Sequence, residues 1–483
     1  MKYESVIGLE IHSELATKSK MFCSSPNDSS EVRPNTNICP VCMGHPGTLP
    51  VANSEAIKKV IQVGLALGST IPAKSQFDRK NYFYPDLPKG YQISQYEHPL
   101  VEGGSVTLAT GKRVRITRVH LEEDTGSLAH DAEGNSLVDF NRAGIPLMEL
   151  VTEPDLRNAR EARETAEELR LIFQYVGASH ARMERGEMRI EANISIRLVG
   201  EEKFGTKVEI KNINSFKSVE KAIEYEIKRQ EELLESGGIV EQQTRGWDEV
   251  RSETILQRKK ESAHDYRYFP EPDLPPQDLT SLREVLRHTL PELPQQKRNR
   301  FRQEFGLDSE AVEVFIHNRK MAEFFENSVS ELKEWTSVDG VKDKITVYKL
   351  LRNYLLSDVI RMLEEKGLTI ETMKLDPENF AELITLVAEN KISSRAAKDL
   401  LMHMIEHGGD PTEIAQDKDL FQSSDEGELE AAVKLVIQEN ESAVTEYKKG
   451  KQGSLQFLVG QTMKSMKGKG NPKTIQDLLI KNL

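Results

Sequence analysis

The chain has 483 residues, a formal net charge of −13, 37% hydrophobic and 30% charged content. This composition is ordinary for a globular protein, allows about two to four domains, and carries no bias toward disorder. No apolar run approaches a membrane span, and the N-terminus lacks a basic-then-apolar signal pattern, so a cytosolic protein is expected. The negative balance disfavours indiscriminate nucleic-acid binding and leaves room for a local basic surface.

In chain order, Val6–Leu15 alternates. Ile7, Leu9, Ile11 and Leu15 share one face of an extended chain, and Gly8, Glu10, His12 and Glu14 share the other. The Glu-His-Glu row reads either as a metal site or acid/base pair, or as a solvated outer face. Residues 16–52 are turn-rich and contain Cys23, Cys39 and Cys42. An odd cysteine count without a signal peptide argues against a disulfide framework. Cys39-Pro-Val-Cys42 has zinc-knuckle spacing, with Cys23 a third candidate ligand. Residues 53–68 predict a helix, with Asn53 or Ser54 as cap and Gly68 beyond its end.

The stretch Ser75–Gln95 is dense in Asp, Arg, Lys, Asn and Tyr and broken by Pro85, Pro88 and Gly90. It suits a phosphate with a base or sugar, or else is a surface loop whose tyrosines pack on the domain. Residues 112–123 predict a strand with a bulge near Thr117, ending in His120-Leu-Glu-Glu-Asp124. Periodicity does not decide whether Glu122 or Glu123 faces a site. Glu149 stands inside the apolar strand Leu-Met-Glu-Leu-Val and requires a cation or donor beside it. An amphipathic helix is expected to start at Glu153-Pro154-Asp155, with Leu169, Ile172, Phe173 and Val176 as its buried stripe. Runs 189–197 and 207–211 read as an antiparallel pair with densely charged polar faces, followed by a helix over about 216–234.

The proline cluster ending at Pro276 is the clearest boundary by composition. Helix follows helix beyond it, and Leu429, Ala432, Val433, Val436 and Ile437 recur at helical spacing. The stretch from Lys464 to Lys473 is basic, which fits either a phosphate backbone or a solvated face. The fold class expected is α+β, with a mixed or antiparallel sheet cradle flanked by helices over 1–292, a helical domain over 293–400 and a helical tail over 401–483. Glu10, His12, Glu122, Glu123 and Glu149, brought together from three strands, are hard oxygen donors plus one imidazole, which suit Mg²⁺ and phosphates better than a closed zinc site. Gly104–Lys112 superficially resembles a P-loop, but its spacing is too long and Arg113 stands where Ser or Thr is needed.

A series of motifs now carries a resemblance: Val6-Ile-Gly-Leu-Glu-Ile-His12, Cys39-Pro-Val-Cys42, Phe77-Asp-Arg-Lys-Asn-Tyr-Phe-Tyr-Pro-Asp86, Lys89-Gly-Tyr-Gln-Ile-Ser-Gln95 and His120-Leu-Glu-Glu-Asp-Thr-Gly126. Asp139-Phe-Asn-Arg142, Glu153-Pro-Asp155, Lys211-Asn-Ile-Asn-Ser-Phe216, Asp265–Asp273, Lys391-Ile-Ser-Ser394 and Phe457-Leu-Val-Gly-Gln461 continue it in order. Over essentially its whole length the chain resembles the B subunits of aspartyl/glutamyl-tRNA amidotransferases.

The resemblance implies ATP- and Mg²⁺-dependent phosphorylation of the side-chain carboxylate of Glu on tRNA(Gln) or Asp on tRNA(Asn). Amidation follows, by ammonia from an amidase A subunit, in a heterotrimer with a small C subunit. By position, His12, Glu123 and Glu149 match the Mg²⁺ ligands with Glu10 beside them. Arg79, Lys80, Asn81 and Lys89 are candidates for the phosphates, and Lys464, Lys467 and Lys469 for the tRNA. Two departures stand out. Ser25 replaces the second cysteine of the zinc-binding members, so Cys23, Cys39 and Cys42 either hold Zn²⁺ with water or another ligand, or form a degenerate site. Glu187 and Glu191 occupy positions where Ser and Asp are expected. Two further readings rest on less: a Mg²⁺-dependent ligase or phosphatase acting on a free small molecule, and a non-catalytic RNA-binding scaffold.

Overall fold

The computed structural model describes residues 2–28, 30–259, 266–335, 344–422, 426–466 and 469–483. The fold is α+β, and the chain divides into two compact units, Met1–Pro294 and Gln295–Leu483.

The first unit is built on strands β1 (Tyr3–Glu14), β2 (Asp78–Asn81), β3 (Tyr91–Ser94), β4 (Val101–Glu102), β5 (Ser105–Thr107), β6 (Arg113–Glu123), β7 (Pro146–Thr152), β8 (Met188–Leu198), β9 (Val208–Ile213), β10 (Gln243–Asp248), β11 (Glu253–Lys259) and β12 (Phe269–Pro270). Nine of them form one sheet in the order β11-β10-β9-β8-β1-β7-β6-β4, with β5 also on β6. Neighbours are antiparallel except β9 and β10. These two are linked by the crossover that contains helix Phe216–Glu235, as a parallel pair requires.

One face of the sheet is apolar. Ile7, Leu9 and Ile11 of β1 share a core with Ile57, Val60 and Ile61 of helix Ser54–Ala66, Ala162, Leu169 and Phe173 of helix Ala159–Tyr175, and Val219 and Ile223 of helix Phe216–Glu235. The first of these helices fits against β4 only because of Gly64, where a Cβ would stand 2.6 Å from a Val101 methyl.

Several expectations hold. Asn53 caps the first helix, its side chain accepting from the N–H groups of Glu55 and Ala56. The register of β6 against β7 passes from Arg118 to Ile116, which leaves Thr117 as a bulge. The helix expected from Glu153 starts later, at Ala159, because the Asn158 side chain takes the cap by accepting from Glu161 N–H. The proline-rich stretch does not separate the units. Phe269–Pro270 pairs with Arg79 and Asp78, and Gln277–Asp278 pairs with Ser75 and Lys74, so backbone bonds hold the segment inside the first unit.

The second unit is helical in its described residues. Helices Pro294–Phe305, Ser309–His317 and Arg319–Trp335 meet around Phe301, Phe315 and Phe325, with Phe315 and Phe325 ring centroids 4.7 Å apart. Helices Glu426–Glu439, Glu441–Lys448, Gln452–Ser465 and Pro472–Asn482 form a cluster of their own on Leu429, Val433, Leu458, Ile475 and Leu479. Among the described residues no helix is long and apolar enough to cross a membrane.

Candidate active site

Strand register lays one row of side chains across four strands on the face opposite the core. Arg189 of β8 stands beside His12 of β1, His12 beside Glu149 of β7, and Glu149 beside His120 of β6. Glu149 is the hub: its Oε2 lies 3.3 Å from His12 Nε2 and 3.4 Å from His120 Nε2. Glu10 and Glu122 each approach His12 Nε2 to 3.8 Å. Ligand atoms of Glu10, His12 and Glu149 lie within 4.8 Å of one another, and so do those of His120, Glu122 and Glu149.

The row floors a cleft of about 570 Å³ whose lining includes Lys80, Arg118, Lys211, Tyr82, Tyr266 and Tyr268.

The electrostatics of the row follow from crowding acids beside imidazoles. Burial raises the Glu10 carboxyl to about 7, helped by the charge of Glu149 and opposed by His12. Burial alone would lower His12. Its hydrogen bond to Glu149, with the charges of Glu149, Glu122 and Glu10, instead lifts it to about 9. Glu149 is held well below the usual carboxylate range, because His120 and His12 outweigh its burial. Glu122 is likewise lowered against burial, mainly by Lys80 and His120. The row thus takes up protons to balance its charge. His120 Nδ1 is buried without a hydrogen-bond partner. The same three carboxylates and two imidazoles, converging on one face, fit a hard divalent cation, which on binding displaces those protons.

The expected residues part company here. His12, Glu149 and Glu10 are brought together, but Glu123 is not. Beyond the bulge at Thr117, Glu123 shares parity with Val119 and Leu121 and points away from the row. Its carboxylate accepts from Ile93 N–H at 2.9 Å and pairs with Lys89 at 2.6 Å. Glu122, with His120 on the same parity, stands in the row instead. The signal was present in the sequence, since the apolar residues after Thr117 mark the inward face.

Of the four candidates for phosphates, only Lys80 lines the cleft, 4.0 Å from Glu122. Arg79 forms a two-pronged pair with buried Glu271 at 2.7 and 2.8 Å. Asn81 donates its side-chain amide to the Arg267 carbonyl at 2.8 Å, and Lys89 is taken by Glu123. The cations that line the cleft with Lys80 are Arg118, Arg189, Lys207 and Lys211, none of which was singled out for phosphates from the sequence.

The two unexpected carboxylates are neutralised locally. Glu187 is gripped by Arg182 at 2.9 and 3.0 Å through the guanidinium Nε, and Glu191 pairs with Lys211 at 2.8 Å.

The three cysteines do converge, their sulfur atoms within 4.8 Å of one another. Cys42 Sγ accepts from Cys39 N–H at 3.1 Å and has the Ser25 hydroxyl at 4.0 Å. Lys20, 1% exposed, donates to the Ala143 carbonyl at 2.7 Å and places its Nζ 3.9 Å from Cys42 Sγ. The Cys23 thiol donating to Cys42, the Cys39 N–H and the Lys20 charge together hold Cys42 down at about 5 despite its burial. Cys23 moves the other way, its thiol proton held by Cys42.

In the tail, Lys464 is exposed in the last turn of helix Gln452–Ser465, and Lys469 pairs with Asp419. Lys467 lies outside the described residues.

Comparison with known proteins agrees along the chain. Residues 5–283 match the family described as the GatB/GatE catalytic domain, and residues 337–483 match the family described as the GatB domain. The B subunit of the aspartyl/glutamyl-tRNA(Asn/Gln) amidotransferase of Caldanaerobacter subterraneus subsp. tengcongensis is 46% identical over 488 residues, covering 100% of both chains. The protein of the same description from Brevibacillus brevis is 44% identical, covering 99% of this chain and 98% of its own. That of Crocosphaera subtropica is 44% identical over 100% of this chain and 98% of its own. With a catalytic sheet that carries the acid–histidine row, and relatives matched end to end, the chain belongs to the family of B subunits of tRNA-dependent aspartyl/glutamyl amidotransferases.

Proposed function

We propose that this protein uses ATP to phosphorylate the side-chain carboxylate of Glu on tRNA(Gln) or Asp on tRNA(Asn), and then exchanges phosphate for ammonia. The observation that carries the reading is the His12–Glu149–His120 row facing Lys80, Arg118 and Lys211 across one cleft. A free carboxylate cannot be amidated directly, because its leaving group would be oxide. When its oxygen attacks the γ-phosphorus, ADP leaves, and phosphate becomes the leaving group for the second step.

His12, Glu149, Glu10, Glu122 and His120 would hold Mg²⁺, which when bound screens the anionic phosphates from the incoming carboxylate. Lys80, Arg118 and Lys211 bind and orient the phosphates. The proton that ammonia sheds on attacking the acyl phosphate leaves with the departing phosphate. Ammonia comes from an amidase subunit held with a small third subunit, and the complex works in the cytosol.

The test is ADP formation by the assembled complex, which is expected with Glu-tRNA(Gln) and absent with uncharged tRNA or free glutamate. Turnover with free amino acid and none with charged tRNA would move the chain to the small-molecule ligases. No ATP–Mg²⁺ binding by calorimetry would make it a scaffold.

The cysteine cluster is proposed to hold Zn²⁺ on three thiolates, with Ser25 or water completing the set. The Ser25→Cys variant is expected to keep zinc at chelator concentrations that strip the parent, as read by metal analysis after dialysis. Equal stripping places the fourth ligand elsewhere. The helical tail is proposed to meet the body of the tRNA through Lys464, Lys467 and Lys469. Removal of residues 426–483 is then expected to weaken tRNA affinity by at least roughly tenfold while ATP–Mg²⁺ binding persists, since phosphate contacts dominate such affinities. Unchanged tRNA affinity refutes the assignment.

A further inference from the structure

Cys23, Cys39 and Cys42 are the only cysteines of the chain, and three thiolates are one short of a closed four-sulfur zinc site. Cys42 is the hub of the cluster. Its Sγ lies 3.9 Å from Cys39 Sγ, accepts from Cys39 N–H at 3.1 Å and stands 4.0 Å from the Ser25 hydroxyl. Cys42 is 5% exposed, yet with Cys23 it lines a cavity of about 150 Å³ whose walls include Phe22, Val41, His45 and Pro50. Molecules the size of water fit that space several times over, so a small reagent can reach the sulfurs.

The cluster is also tied to the strand that carries Glu149. Lys20 donates to the carbonyls of Ala143 at 2.7 Å and Phe140 at 3.3 Å, and its Nζ lies 3.9 Å from Cys42 Sγ. Gly144, at φ +86°, passes so close that a Cβ there would stand 3.4 Å from Cys42 Cβ and 3.6 Å from Lys20 Cδ. Two residues later Pro146 opens β7. Lys20 is 1% exposed, and anionic sulfur at Cys42 is a counter-charge for its ammonium. A neutral disulfide there withdraws that charge, and a buried cation left without a partner forces the backbone around it to move.

We propose that Cys42 and Cys39 form an oxidation site for small hydroperoxides, and that their disulfide slackens the anchorage of β7 behind the His12–Glu149–His120 row. The Cys42 sulfur attacks the terminal peroxide oxygen. An S–O bond forms, the O–O bond breaks, and the other oxygen leaves as alkoxide or hydroxide and takes a proton from water. The Cys39 sulfur then attacks the sulfenic sulfur. The S–S bond forms, the S–O bond breaks, and hydroxide leaves and is protonated to water. Two thiolates, one hydroperoxide and two protons thus give one disulfide, one alcohol (water, for hydrogen peroxide) and one water, with two electrons passing from sulfur to oxygen. The disulfide costs a bound zinc two of its three sulfur ligands, and an added dithiol reverses it. The oxidation step stands on the sulfur geometry alone. Only its metal readouts rest on the zinc and row metal sites proposed above.

The test treats the assembled complex with hydrogen peroxide, removes the reagent, and counts alkylatable cysteines in this chain by mass spectrometry. The count is expected to fall from three to one, with a peptide cross-linked between Cys39 and Cys42 and with zinc released. Mn²⁺ affinity at the row, followed by electron paramagnetic resonance, is expected to weaken about tenfold, as when a metal ligand loses its outer support. Dithiothreitol should restore all three readouts. In Cys39→Ser the reaction is expected to stop at the Cys42 sulfenic acid, which dimedone captures.

Three cysteines still alkylatable after a peroxide dose that oxidises free cysteine in the same tube would overturn the proposal. So would a cross-link to Cys23 in place of Cys39, or a sulfinic acid that dithiothreitol does not reverse. A disulfide that leaves Mn²⁺ affinity unchanged overturns the link to β7, and a parent that binds no Mn²⁺ removes both the row's metal and that link. If the disulfide forms and Mn²⁺ affinity drops in a parent that never held zinc, the zinc reading falls and this inference stands.

Discussion

Glu149→Gln lowers amidated-tRNA formation by the assembled complex by about two to three orders of magnitude and leaves the thermal midpoint close to that of the parent. Glutamine has the size of glutamate and keeps one oxygen, so the packing between β1 and β6 is retained. What is lost is the single negative charge 3.3 Å from His12 and 3.4 Å from His120. That charge is the largest attraction raising His120 and, through its hydrogen bond and charge, His12. With it gone, both rings lose their largest attraction and shift toward the neutral form while Glu122 stays beside each of them, which limits the cost to the fold.

The donor set, however, loses its only member common to both groups of ligands. Titration with Mn²⁺ followed by electron paramagnetic resonance checks the cause: the variant is expected to lose the bound signal. Glu123→Gln is the paired control, because that carboxylate faces Lys89 and stands outside the row. Retained Mn²⁺ binding in Glu149→Gln together with its loss in Glu123→Gln would return Glu123 to the ligand set and remove Glu149 from it.

The contrast between Glu149 and Glu123 also shows what the sequence could convey. The existence of β1, β6 and β8 follows from local alternation, because a half-buried sheet imposes a period of two, and that of β7 from a short apolar run. The special status of Glu149 followed from energetics, since a carboxylate inside an apolar strand requires partners. That these are two histidines was beyond periodicity. The identity of the second acid on β6 turned on one bulge at Thr117, which resets which side chains face the row. Cross-chain pairings were less legible still. Arg79 with Glu271, and Asn81 with the carbonyls of Tyr266 and Arg267, join residues about 190 apart, and nothing in either local stretch names the other. Polar residues in a loop next to a site therefore resembled phosphate ligands when several of them are struts. The three cysteines were legible as a cluster, but Lys20, a buried cation beside them, carried no pattern.

Arg79→Ala is expected to destabilise the first unit by about 3–5 kcal/mol, read by chemical denaturation, because it leaves a buried carboxylate unpaired. Glu271 is 1% exposed and receives both Nε and Nη2 of Arg79, while the guanidinium also stacks at 4.4 Å on Tyr91. The pair fastens β12 to β2, where Phe269 stands opposite Arg79. The segment just before β12 supplies Tyr266 and Tyr268 to the cleft. Activity should fall with this segment's anchorage, and a simple activity assay would not separate that from loss of a phosphate contact.

The double variant Arg79→Met with Glu271→Met does separate them. Replacing both charges by apolar chains of similar volume removes the buried anion and is expected to restore stability to near the parent. If ATP affinity returns with stability, Arg79 is a strut. If stability returns and ATP affinity stays low, or if Arg79→Ala loses ATP affinity with no loss of stability, the guanidinium touches phosphate after all. The geometry favours the first result, since the Nε and Nη2 edge that would grip a phosphate is already committed to Glu271.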